Sequence, residues 1–84
     1  MSFQASDLGS ILENGRERAG LGVSDLWMRY VGNGGMATLS QMECYLAGAT
    51  RPSRLEYDVL VSALNDQFID MRLNSPIPYF HELG

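Results

Sequence analysis

Apolar residues recur along this chain at the spacing that gathers them on one face of a helix. Leu8, Ile11, Leu12 and Gly15 stand at i, i+3, i+4 and i+7. Ser6 is a suitable N-cap for that stripe, and Gly20 and Gly22 stop it, so a first helix is predicted over 7–19. Val23, Leu26, Trp27, Tyr30 and Val31 form a second helical stripe that ends at Gly32. Gly32-Asn33-Gly34-Gly35 is the clearest turn in the chain, because glycine and asparagine tolerate positive φ. A third helix is predicted over 36–47, with Leu39, Met42 and Leu46 on one face and Gly48 closing it. After the loop Ala49-Thr50-Arg51-Pro52, Ser53 starts a fourth helix. Glu56, three residues on, completes a predicted capping box, and Leu55, Val59, Leu60, Ala63 and Leu64 supply its apolar stripe. Asn65-Asp66 is read as a break before a short fifth helix carrying Phe68, Ile69, Met71 and Leu73. Pro76 and Pro78 make residues 74–84 an extended tail.

The expected fold is therefore all-α: a compact bundle of about five short helices over residues 1–73, followed by the tail over 74–84. A chain of 84 residues holds one domain and no more. With 45% apolar and 19% charged residues, its balance is that of a globular domain. No apolar run approaches the roughly 20 residues that cross a bilayer, so no membrane partner is expected. The first residues carry no basic start and no apolar core of a signal peptide. A lone cysteine, Cys44, fits a reducing compartment, and a cytoplasmic location is expected.

The residues that could carry chemistry are sparse. His81 and Cys44 lie far apart and make no metal-ligand spacing. The glycine cluster follows a helix, not a strand, so it is a turn and no nucleotide loop. Asp66 and Asp70 read as solvent-facing charges, and Cys44 as a half-buried structural cysteine. No enzyme activity, cofactor or metal is expected. The net charge is −4, and all six basic residues are arginines. That balance opposes nonspecific polyanion binding but permits a local basic edge.

Several fragments, in order, resemble the Xre/Cro/phage-repressor family of helix-turn-helix proteins. Leu12…Arg16-Glu17-Arg18-Ala19-Gly20-Leu21 resembles its first helix and turn, and Leu26…Gly32 the end of its second helix. Thr38-Leu39-Ser40-Gln41-Met42-Glu43 resembles the recognition helix. Arg51-Pro52-Ser53 and Leu60…Ala63-Leu64 resemble the following loop and fourth helix. The likeness spans about residues 8–73. It departs from the family at Trp27, where alanine is usual, in a longer turn before Leu39, and in a third helix that continues to Gly48.

The resemblance implies a lambda-repressor-like fold and a small transcription regulator that occupies a duplex operator as a homodimer. It implies an ion pair between Arg16 and Glu43, tying the first helix to the third. By position in the motif, Met36, Ala37, Thr38 and Gln41 would meet base edges, with Gln41 suited to a bidentate adenine contact. Ser40, Arg29, Arg51 and Arg54 would hold phosphates. The apolar tail residues Ile77, Tyr79, Phe80 and Leu83 are expected at a dimer or partner contact. Residues 33–50 hold no basic residue. That bareness, the acidic balance and Trp27 favour an alternative, a helix-turn-helix-derived acidic protein-interaction module of antitoxin or adaptor type that binds no DNA.

Overall fold

A computed structural model describes residues 3–74 and 76–83; Met1 and Ser2, and Ser75 and Gly84 of the expected tail, lie outside the described residues. Helices α1 (Ala5–Ala19), α2 (Val23–Gly32), α3 (Leu39–Leu46) and α4 (Arg54–Asp70) are followed by a single 3-10 turn, Phe80–Glu82. No strand forms among the described residues. The all-α expectation holds, with four α-helices among the described residues in place of about five.

Helix α4 is the axis of the molecule. It packs on α1, on α2 and on the 3-10 turn, while α3 bridges α1 and α2. Tyr57, Leu60, Val61, Ala63, Leu64 and Phe68 of α4 are buried, and they meet Leu8 and Leu12 of α1, Leu26 and Tyr30 of α2, and Met42 and Leu46 of α3 in one core. The break predicted at Asn65-Asp66 does not occur. Asn and Asp disfavour helix by only about 0.7 kcal/mol each, and tertiary contacts on both sides hold the helix through them. Phe68 is buried, Gln67 Nε2 donates to Ala19 O at 3.3 Å, and Asn65 is held by the tail. The predicted fifth helix is the last turns of α4, where Ile69 is exposed, and a C-terminal turn carrying Met71 and Leu73.

Capping moves two of the predicted starts. Helix α1 begins two residues earlier than expected, because Asp7 Oδ2 accepts from Gln4 N–H at 2.9 Å, making Gln4 the cap in place of Ser6. Helix α3 begins later than expected. Thr38 Oγ1 accepts from Gln41 N–H at 3.1 Å and Gln41 Oε1 accepts from Thr38 N–H at 2.8 Å, a reciprocal box that fixes Thr38 as the cap. Met36 and Ala37 therefore belong to the turn, and α3 has eight residues. It is shorter than the sequence suggested, not longer. At α4, Ser53 Oγ accepts from Glu56 N–H at 3.1 Å, but the Glu56 carboxylate accepts from Tyr45 O–H instead of closing the box.

Trp27 and Tyr30 explain how the turn between α2 and α3 is set. Ala37 N–H donates to Tyr30 Oη at 2.8 Å, and Trp27 Nε1–H donates to Ala37 O at 3.0 Å. The turn is thus clamped at both polar groups of one residue. Gly35 lies flat on the Tyr30 ring, where any Cβ would collide. Trp27, Tyr30 and Tyr45 consequently serve the fold, and no exposed cluster of the three forms.

Candidate nucleic-acid interface

Helix α3 turns Met42, Tyr45 and Leu46 inward. Ser40, Gln41, Glu43, Cys44 and Ala47 are exposed. Cys44 is thus a surface residue, not a half-buried one. Of the residues expected at base edges, Met36 is 93% exposed and Thr38 is exposed at the cap. Ala37 is buried, with both backbone polar groups taken, so it is withdrawn from any groove contact. Gln41 is accessible, but its Oε1 is engaged by Thr38 N–H. Only the Nε2 donor is uncommitted, so a bidentate adenine contact requires release of half the capping box.

Of the expected phosphate ligands, Ser40 lies on α3 itself, and the three arginines fall on either side of it in the chain. Arg29, at the end of α2, pairs with Asp70 at 3.1 Å across exposed surface. Arg51 Nε donates to Phe3 O at 2.8 Å. The Arg51 and Arg54 guanidinium carbons stand 5.8 and 4.8 Å from the Phe80 ring centre. Both arginines remain exposed. Interactions of this surface type are worth about 0.2–1 kcal/mol, so a phosphate can displace them.

The Arg16–Glu43 pair does not form. Arg16 Nε pairs with Glu13 one turn back on α1, and Arg16 Nη1 donates to Leu21 O at 2.8 Å, closing the end of the helix. Glu43 is exposed on α3. What ties α1 to α3 is instead a close backbone approach. A Cβ on Gly9 would stand 2.7 Å from Tyr45 O and 2.9 Å from the Gly48 backbone. No known protein family, curated protein or solved structure matches this chain.

The tail residues expected at a second copy are seated on their own domain. Ile77 is buried, and Tyr79, Phe80 and Leu83 are partly buried against the core. Ile77 N–H donates to Asn65 Oδ1 at 2.8 Å, and Asn65 Nδ2 donates to Ile77 O at 3.1 Å. Tyr57 O–H donates to Pro78 O at 2.9 Å, and Phe80 N–H to Asp58 Oδ1 at 2.7 Å. Burial, then the Asp58 and Glu82 charges, push the Tyr57 phenol up to about 12. Burial and the bond to Glu56 raise Tyr45 likewise to about 12. Sequence reasoning missed Asn65, Asp58 and Tyr57 as ligands of the tail, since nothing local marks a helical asparagine as a partner of a distant backbone.

An open groove of about 330 Å³ runs between the turn at residues 33–36 and the first turns of α4. Met36 and Leu55, 93% and 73% exposed, stand beside it, with Tyr30 and Val59 along it. Among the described residues no group of three His, Cys, Asp or Glu side chains could hold a metal ion, and no helix is long and apolar enough to cross a membrane.

Proposed function

We propose that this chain is a small helix-turn-helix transcription regulator that reads duplex DNA with the outward face of α3, acting as a homodimer by occupying its site. The observation that carries the reading is the makeup of that face. Ser40, Gln41, Cys44 and Ala47 are exposed, uncharged and of modest size, and Glu43 is the one charged residue exposed beside them, so the helix can approach base edges closely. Gln41 Nε2 is a donor for a base acceptor, and Glu43 is an acceptor for a cytosine amine. Arg29, Arg51 and Arg54 supply the phosphate contacts. Two copies would set two α3 helices one DNA turn apart.

A domain of net charge −4 with three such arginines cannot hold DNA by bulk attraction. Its binding must be sequence-selective and visible at low salt, with a log–log salt slope near −3 per protomer. The test is anisotropy of labelled duplexes with the wild-type chain and with Arg51→Ala/Arg54→Ala. The double variant should weaken binding on every sequence and flatten the salt slope by about 2. Equal binding by the variant would sink the assignment.

The groove beside Met36 and Leu55 favours a second reading, docking of an apolar side chain from a protein partner. A photo-crosslinker placed at Leu55 should then give a discrete protein adduct in cells, and one placed at Asn14 on the outer side of α1 should not.

A further inference from the structure

The tail of this chain is held as a peptide ligand is held. Both polar groups of the Ile77 backbone are taken by one side-chain amide, Asn65. The next carbonyl, that of Pro78, accepts from Tyr57, and the Phe80 amide donates to Asp58. All three clamping groups come from α4. The side chains between these bonds have receiving sites of their own. Ile77 fills the space above Gly15 and Leu64, where a Cβ on Gly15 would strike the isoleucine. Phe80 meets Tyr57 edge-on at 6.0 Å and Phe3 at 6.3 Å, under the Arg54 guanidinium. Main-chain bonds supply affinity and alternate side-chain pockets supply selectivity, the logic of extended-peptide recognition. Pro76 and Pro78 fix the strip in extended form before it binds, which lowers its ordering cost.

The tail leaves α4 through a left-handed C-terminal cap, in which Leu73 N–H donates to Phe68 O at 2.9 Å and Arg72 N–H to Ile69 O at 3.0 Å. Arg72 has φ +59, the one non-glycine residue with positive φ among those described. Glycine is the residue that holds this C′ position without strain.

We infer that the α4 groove is a recognition site for an extended Ile-Pro-x-aromatic strip, and that it accepts the tail of a second copy in exchange for its own. A second copy offers the same residues in the same order, so every bond named above is remade across the pair. Exchange of an identical element needs no new surface. The inference does not rest on DNA binding.

Two full-length variants test it. An acceptor, Ile77→Ala/Phe80→Ala, keeps the groove and disables the tail. A donor, Asn65→Ala/Tyr57→Phe, keeps the tail and removes three of the four bonds that clamp it, both at Ile77 and the one at Pro78. At about 100 µM, a tenth or less of the millimolar effective concentration of a tethered tail, each should sediment alone as a monomer. Mixed one to one they should give a complex of twice that mass, lost when the donor also carries Phe80→Ala. A mixture that stays monomeric overturns the inference.

Should the acceptor lose its helices by circular dichroism, hydrogen exchange on the wild-type chain decides. The Ile77 and Phe80 amides, both bonded to α4 side chains, should exchange at least about tenfold faster than those of Leu60 and Leu64, by an opening that spares the helices. Exchange of all four at one rate means that the tail never leaves without global unfolding, and the inference fails.

Discussion

Gly9→Ala tests the contact that joins the first helix to the third. The added methyl would stand 2.7 Å from Tyr45 O and 2.9 Å from Gly48 N and Cα, where ordinary contact begins at 3.4 Å. The helices must part by about 0.5–0.7 Å to admit it. Every atom in the way is backbone, so no side chain can rotate aside. Inserting a methylene into a packed interior costs typically about 1–3 kcal/mol, and a rigid site lies at the upper end. Alanine offsets about 1 kcal/mol of this through its better helix propensity. The expected net loss is about 1–2 kcal/mol, a fall in melting temperature of roughly 4–16 °C for a domain of this size. Gly32→Ala is the control, since a Cβ there meets nothing within 4 Å. It should be neutral or stabilise by up to about 0.5 kcal/mol. Urea unfolding of the two variants separates packing from propensity. If Gly9→Ala matches or exceeds the wild type, α1 and α3 do not approach as described.

Arg72→Gly should stabilise the chain by about 0.5–1 kcal/mol, because strain at φ +59 exceeds the entropy that glycine adds to the unfolded state; thermal melts check it. Tyr45 and Tyr57 are held protonated to about pH 12 in the fold against 10 when free, so the folded state binds more protons in that window. Their stabilisation is complete below pH 10 and is lost as pH rises through 12. Urea midpoints should fall over that range, and less steeply in Tyr57→Phe. Glu43→Ala should change stability by no more than about 0.5 kcal/mol, since Glu43 is exposed and Arg16 pairs elsewhere; a loss near 3 kcal/mol would restore the ion pair that the resemblance implies.

The elements of the fold were legible where a stripe and its stop signals agreed. The end of α2 at Gly32, the end of α1 at Ala19 and the Ser53 cap of α4 stand as the residues indicate. Errors fell where two local signals competed. Thr38 and Gln41 spell a capping box as clearly as Ser53 and Glu56 do, yet the glycine run drew the start of α3 three residues too early. Asn65-Asp66 reads as a break because propensity is local, whereas the partner that uses Asn65 is Ile77, across a turn. The candidate interface was legible only as positions. Exposure of Ser40 and Gln41 follows from helical phase, since Met42, Tyr45 and Leu46 point inward. Burial of Ala37 does not, because it depends on Trp27 and Tyr30 reaching back from the preceding helix. The tail was expected at a dimer or partner contact, whereas its cover in the structure is its own α4, to which Asn65, Tyr57 and Asp58 tie it.

Whether α3 reads DNA is tested most directly by selection from a pool of random duplexes at low salt, with the wild-type chain and with Gln41→Ala in parallel. The account predicts that the wild type enriches a two-fold-related pair of half-sites about one helical turn apart. Gln41→Ala should enrich the same pair with preference relaxed at one base pair in each half-site, worth about 0.5–1.5 kcal/mol of discrimination there for a single hydrogen bond. A pool that passes through the wild-type chain unenriched contradicts the account and leaves the groove beside Met36 and Leu55 as the working surface of the molecule.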